Sequence, residues 1–454
     1  MYKFLLAFRY LLKRRISYFS LFAVALCVFV VLIVITVLNG LTAEFKQKTH
    51  GWSGDCIISS KSLVGFCYYD EFAEKLKAEE FIKAVCPVIR NYAFVKSVSV
   101  ENGSRDFERT LEVIGIEPVS YDKLTGFSKW LYYKKDGVIG KVFDSSSDVN
   151  LPGCVLGIST LYERDSNGNY MLPASVSDEV FNVSCFPLTA KGALARAATD
   201  VISAKNFVLS DVAQSGIRAD WSTIYLPFEQ AQVLCGMAGE PKRANAVFIK
   251  FSDGVDLKKG CGRVELLWRQ FTDTKKDAEN AELFKNVRIQ DWKNYNREMV
   301  SVAETQQGLM IIVFALIGII TVFIVLVVFF MVVSHKSKDI GILKSVGVSN
   351  FGLMALFLNF AFLTGLLGSA IGSFCGWQFL ANINWIEDWL FRNFDFQLWD
   401  RRIYAIGDIP NRIDLSVLIV IILSAIAACL IGAFLPSRQA SKKEPVEALQ
   451  VSKL

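Results

Sequence analysis

The sequence predicts a membrane protein: four transmembrane α-helices, with a large α+β extracytoplasmic domain inserted between the first and the second. Three observations carry this reading. Four stretches of spanning length, Ile16–Gly40, Gly308–Val333, Phe351–Ala381 and Leu415–Leu435, hold no charged residue in a chain that is 20% charged and 52% hydrophobic. Each reaches the ~20 residues a helix needs to cross a ~30 Å hydrocarbon core, where a buried charge is costly. The stretch 41–307 mixes alternating and helical patterns with turn signals. Finally, the segments outside the runs change charge sign alternately along the chain.

Residues 1–15 carry Lys3, Arg9, Lys13, Arg14 and Arg15, with Phe4, Leu5, Phe8, Leu11 and Leu12 facing away from them. They predict a cytoplasmic interfacial helix leading into span 16–40. A cleaved signal peptide is the alternative reading of this end. The apolar run exceeds a usual h-region of about 7–15 residues, and Asn39-Gly40 is a poor cleavage context, so an uncleaved anchor is expected.

Residues 41–307 are long enough for one or two domains with their own cores. Cys56–Ser59, Thr110–Ile116, Val180–Cys185, Asn206–Leu209, Ser222–Leu226 and Ala246–Phe251 read as strands. Tyr69–Glu79, Pro118–Tyr132, Phe228–Cys235 and Leu257–Phe271 read as helices. The helical pattern of the second span, 308–333, begins early, with Tyr295, Met299 and Val302. A helix from Asn294 to Val333 would be ~60 Å long, twice the hydrocarbon thickness, and would project as a stalk. A break at Gly308 is the competing expectation. The first span extends similarly through Leu41, Phe45 and Lys48.

Residues 334–350, SHKSKDIGILKSVGVSN, form a short loop of net charge +2. On a helix, Ile340, Leu343 and Gly347 share one side, with Ile342 and Val346 close by. Such a segment either lies on the lipid surface or docks into a partner. In the third span, 351–381, Gly368, Gly372 and Gly376 recur at every fourth position with Gly365 alongside, a pattern for close helix packing. The loop 382–414 is net −2, the fourth span covers 415–435, and the tail 436–454 is net +2. Residues 41–307 net −2. Positive pieces thus alternate with negative ones, placing both termini and 334–350 in the cytoplasm and 41–307 and 382–414 outside.

Function classes fall away quickly. The two histidines, His50 and His335, are far apart in sequence, and the cysteines form no C-x-x-C pair, so no metal site is expected. Seven of the ten cysteines lie outside the spans, an odd number that specifies no disulfide pairing. There is no G-x-S-x-G, no H-E-x-x-H and no Walker A sequence, so neither a catalytic centre nor a P-loop is predicted, and nothing points to nucleic acid.

KDIGILKSVGVS resembles the D/E-I-x-I-L-K/R-x-x-G-A-S segment of the MacB/FtsX-type permease superfamily, and the tail LPSRQASKKEPVEAL resembles that superfamily's ending. VLNGLTAEF, VIGIEP (113–118), YLPFEQAQVL (225–234), the entry into the second span and DIPNRIDL (408–415) are similar to the permease subunits of lipoprotein-releasing (Lol) ABC transporters. Departures are Gly341 and Val348, where Ala is usual, and Leu38, where Met is usual. The stretch 186–206 lacks the Pro-rich hook of carrier-recruiting subunits.

The resemblance implies a non-catalytic membrane subunit in the bacterial inner membrane. Its partners would be a cytoplasmic ATPase dimer that binds ATP and Mg, a second permease (the same or a homologous chain), a lipoprotein substrate and a periplasmic lipoprotein carrier. It implies ATPase coupling through Lys338, Asp339, Ile340, Leu343, Lys344, Val346 and Gly347, and a lipoprotein cavity lined by Val30, Val34, Val37, Leu38 and Asn39. The alternative within the superfamily is a mechanotransmission permease without lipid cargo, serving efflux or a cell-wall hydrolase.

Overall fold

The computed structural model describes residues 15–98, 107–135, 137–144, 151–163, 170–176, 179–194, 203–216, 219–335, 337–394 and 409–442. The expected interfacial helix and the end of the tail lie outside them. The chain divides into two units: one is Glu44–Val300 with Asp400–Gly407, the other Met1–Ala43, Ser301–Trp399 and Asp408–Leu454.

The first unit is α+β. Its strands are β1 Cys56–Ser60, β2 Phe66–Cys67, β3 Ile82–Ser97, β4 Glu108–Ile116, β5 Gly153–Gly157, β6 Val180–Cys185, β7 Ser203–Ala213, β8 Thr223–Pro227, β9 Arg243–Ala244, β10 Ala246–Phe251 and β11 Val287–Asp291. Nine of them make one mixed sheet in the order β11-β1-β10-β3-β4-β8-β5-β7-β6. β3 is long enough to pair with β10 at its start and with β6 at its end, so the sheet curls back on itself. Period-two alternation sends successive side chains to opposite faces, and each face has its own core. Ile58, Val113 and Val247 join one, with Phe72, Trp268 and Phe271. Ile57, Ile114 and Phe248 join the other, with Trp52, Tyr121 and Trp292.

Strand β3 is absent from the sequence reading because Lys83, Pro87, Arg90 and Lys96 interrupt its apolar pattern. The fold supplies Arg90 with partners: its Nε donates to Glu112 Oε1 at 2.7 Å, and its guanidinium lies over the rings of Trp52 and Tyr295. Strands β5 and β11 also went unread. The helix expected over Pro118–Tyr132 stops at Thr125, where Gly126 takes φ +74° and its N–H bonds Asp122 O at 2.7 Å. Residues Phe127–Trp130 continue only as a 3-10 turn. That positive φ is a helix terminator open to glycine at little cost.

Among the described residues four helices are long and apolar enough to cross a membrane. They run Arg15–Ser53, Arg297–His335, Asn350–Ala381 and Leu415–Lys442. The second continues through Gly308 without a break, and at 39 residues it measures roughly 58 Å.

Glycines set the packing of this unit. A Cβ added at Gly368 would stand 2.9 Å from Val24 Cγ1, at Gly372 2.4 Å from Ala25 O, and at Gly376 2.9 Å from Leu32 Cδ2. All three therefore lie against the first helix. Gly365, three residues before Gly368 and so about 60° round the axis, faces the fourth helix instead, 3.1 Å from Ile426 Cα. Gly432 of the fourth helix meets the second in turn, 2.8 Å from Val322 O. Cys27 and Thr321 add a 2.8 Å contact between the first and second.

Gly372→Val is expected to destabilise the detergent-solubilised chain by about 1–3 kcal/mol, because the backbone facing it cannot yield. Gly262→Ala, on a helix face with nothing within 4 Å, should be neutral or stabilising by up to about 1 kcal/mol. Thermal unfolding of the two variants checks the contrast.

Candidate functional site

Residues 337–345 of the charged loop form a helix, Ser337–Ser345. It ends in a Schellman turn: Val348 N–H bonds Leu343 O at 3.1 Å and Gly347 N–H bonds Lys344 O at 3.0 Å, with Gly347 at φ +92°. Ser349 then caps the third long helix, its Oγ accepting from Gly352 N–H at 3.1 Å. V-G-V-S is thus a stop–start signal, and Gly347 serves the turn through its backbone.

Leu343 is half-buried against Val333, Leu353, Phe357 and Ala440, so its packing is met within the chain. The outward apolar face belongs to Ile342, 54% exposed, and Val346, 79% exposed, four residues apart. Lys344 is half-buried on the same short helix. The side chains of Lys338, Asp339 and Ile340 lie outside the described residues.

A cavity of about 180 Å³ lies between the first and second long helices. Ile35, Leu38, Met310, Ile311 and Phe314 give it an apolar wall, and Asn39, Thr42, Gln306 and Gln307 a polar rim. Of the residues predicted to line a cavity, Leu38 and Asn39 are here. Val30, Val34 and Val37 are not: Val30 is exposed, and Val34 and Val37 are half-buried elsewhere on the helix. The family resemblance implies a cavity between the first and second spans, but the second helix is apolar on every side, so periodicity marks no face and its lining residues could not be named. Gln306-Gln307, polar at the edge of a long uncharged run, was the available signal.

Within the α+β unit, the end of the first long helix is fastened to the residues that precede the second. Asn296 Nδ2 donates to Ser53 Oγ at 3.0 Å, and the His50 ring stacks on Trp292 with centroids 4.7 Å apart. Burial would raise the Asp55 carboxyl, but His50 Nε2 at 2.7 Å and the Phe251 N–H at 2.7 Å outweigh it and hold it below its ordinary value. Among the described residues no group of His, Cys, Asp and Glu is placed to hold a metal ion.

Residues 311–445 match the family described as FtsX-like permease C-terminal. The matched stretch takes in most of the second long helix, the whole of the third and fourth, and the short helix between the second and third. The chain is similar to the lipoprotein-releasing system transmembrane protein LolC of Neisseria meningitidis, 27% identical over 164 residues, which are 36% of this chain and 40% of that relative. It is similar to LolE of Haemophilus influenzae at 20% identity over 96% of this chain and 94% of the relative. Thus the chain matches less than half the length of the LolC relative but nearly all of the LolE relative. The periplasmic region of MacB from Actinobacillus actinomycetemcomitans aligns with 56% of the chain at 14% identity and a TM-score of 0.30, covering 97% of that structure.

Gly347→Ala should cost about 1–2 kcal/mol locally, since an L side chain is strained at that φ. Amide exchange at residues 347 and 348 is expected to rise about tenfold, read by hydrogen–deuterium exchange.

Proposed function

We propose that this chain is the permease subunit of an ABC transporter that extracts lipoproteins from the inner membrane and hands them to a periplasmic carrier. A separate ATPase dimer would bind ATP and Mg and supply the work. The observation that carries the reading is the cavity between the first two long helices, apolar below and polar at its rim. That is the character needed to hold acyl chains while a polar head group stays hydrated.

The energetics favour such a cavity. Moving an acyl chain into water costs about 0.8 kcal/mol per CH₂, tens of kcal/mol for a triacylated lipoprotein. Extraction therefore needs an apolar receptacle as well as an engine. At about 180 Å³ the cavity of one chain is below the ~300–1,000 Å³ of ordinary ligand pockets. A second permease, identical or homologous, would complete it.

The helix Ser337–Ser345 is the proposed seat of the ATPase, with Ile342 and Val346 entering a groove of the partner and Lys338 and Lys344 at its rim. Nucleotide-driven closure would then press on the second and third helices, which flank that segment. The Ser53–Asn296 and His50–Trp292 contacts would carry the motion into the α+β unit, outside the cytoplasm in this reading. The similarity to LolC and LolE supports a lipid-linked cargo over a purely mechanical role.

Photo-crosslinkers at Leu38 and Met310 should trap lipoprotein in cells, while one at Val30 should trap far less. Absence of adducts at both cavity positions would favour the mechanotransmission alternative. Separately, Lys338→Glu with Lys344→Glu should weaken co-purification of the ATPase by about tenfold or more. Unchanged association would remove the coupling assignment.

A further inference from the structure

The seven cysteines of the α+β unit are resolved by the fold into two neighbouring pairs and three single thiols. Cys56 opens β1, and Cys261 lies on the helix Leu257–Thr274 that covers it. Their thiols are within hydrogen-bonding reach of each other. The residues before them converge on one residue, Phe251, from its backbone and its ring. Asp55 Oδ2 accepts from Phe251 N–H at 2.7 Å, and a Cβ at Gly260 would stand 2.6 Å from the Phe251 ring.

Cys185 ends β6 and Cys235 follows the helix Phe228–Leu234. These thiols too are within hydrogen-bonding reach. Here Leu188 N–H bonds Cys235 O at 3.3 Å, and a Cβ at Gly236 would stand 2.9 Å from Pro187 Cβ. In both places the flanking chain is held by contacts that do not use the thiols. Cys67, Cys86 and Cys154 are buried, and none is set against another cysteine by these contacts.

We propose that Cys56–Cys261 and Cys185–Cys235 are two disulfide sites of the α+β unit. The proposal rests on the reading that this unit lies outside the cytoplasm, where such bonds persist. In each site two S–H bonds break and one S–S bond forms. The two electrons and two protons pass to the disulfide of a thiol–disulfide oxidoreductase, which leaves as a dithiol.

The first bond would close a loop of about 205 residues, tying the strand after the first long helix to the helix before β11. The second would close about 50 and tie β6 to the end of its neighbouring helix. Cys56, Cys185 and Cys235 are wholly buried. The neighbouring thiol and burial push Cys56 and Cys185 up, while the Cys185 contact lowers Cys235. Burial keeps an external thiol or disulfide from these sulfurs in the folded protein, so the bonds form while the chain folds, and the finished protein should resist reductant until it is unfolded.

The full-length chain, purified without reductant, is denatured and tagged with a mass-labelled maleimide before and after reduction. Six tags should attach before reduction and ten after, and peptide mapping should recover the 56–261 and 185–235 links. The Cys56→Ser variant should lose one link only and melt about 5–15 °C lower than the parent under non-reducing conditions. Ten tags before reduction, or links between other cysteines, would overturn the proposal.

A parallel Leu266→Cys variant, exposed on the helix that bears Cys261, separates this result from the topology. If a membrane-impermeant maleimide reaches it in intact cells while all the native cysteines tag freely, the disulfide proposal falls and the extracytoplasmic reading stands. If the reagent does not reach it and the native thiols are free, both fall.

Discussion

The membrane-type unit depends on the close approach of the first and third helices at Gly368, Gly372 and Gly376. Lipid tails are as apolar as leucine side chains, so helices in a bilayer gain little from hiding apolar surface and hold together by close packing. At Gly372 the site of a missing Cβ lies 2.4 Å from a carbonyl oxygen of the first helix, a separation only glycine permits. Gly365 and Gly432 repeat the device against the fourth and second helices. A chain of small-residue contacts therefore runs from first to third, third to fourth and fourth to second.

This arrangement leaves the first and second helices joined more loosely, through side chains such as Cys27 and Thr321. It is between these two that the apolar cavity opens, with Asn39, Thr42, Gln306 and Gln307 at its edge. The short helix Ser337–Ser345 shows a comparable division. Leu343 anchors it to the unit's own core, while Ile342 and Val346 remain outward.

In the α+β unit the alternation of β1, β4 and β10 between two cores explains how one sheet holds helices on both sides. One core takes in Trp52 and Trp292, next to the ends of the two longest helices, and the cation of Arg90 lies over the rings of Trp52 and Tyr295. The polar contacts of Ser53 with Asn296 and of His50 with Asp55 cluster at the same place. The fastening of the helix ends is thus continuous with a hydrophobic core.

By itself the sequence determined the four apolar helices, the continuation of the second through Gly308, and most strands with clean alternation, because bilayer thickness and side-chain period are properties of local segments. It also marked the glycine spacing of the third span as a packing surface, but set Gly347 on a helix face where the structure makes it the turn that ends the helix. Only tertiary structure decided which helix each glycine meets, since sixty degrees of rotation sends Gly365 to a different neighbour from Gly368. Strand β3, with Pro87 and its charges, needed Glu112 and the rings of Trp52 and Tyr295 before it could be a strand. The cavity wall on the second helix and the pairing of Cys56 with Cys261 and of Cys185 with Cys235 were likewise undetermined. These depend on contacts between segments far apart in the chain, and no local pattern encodes which distant partner will arrive.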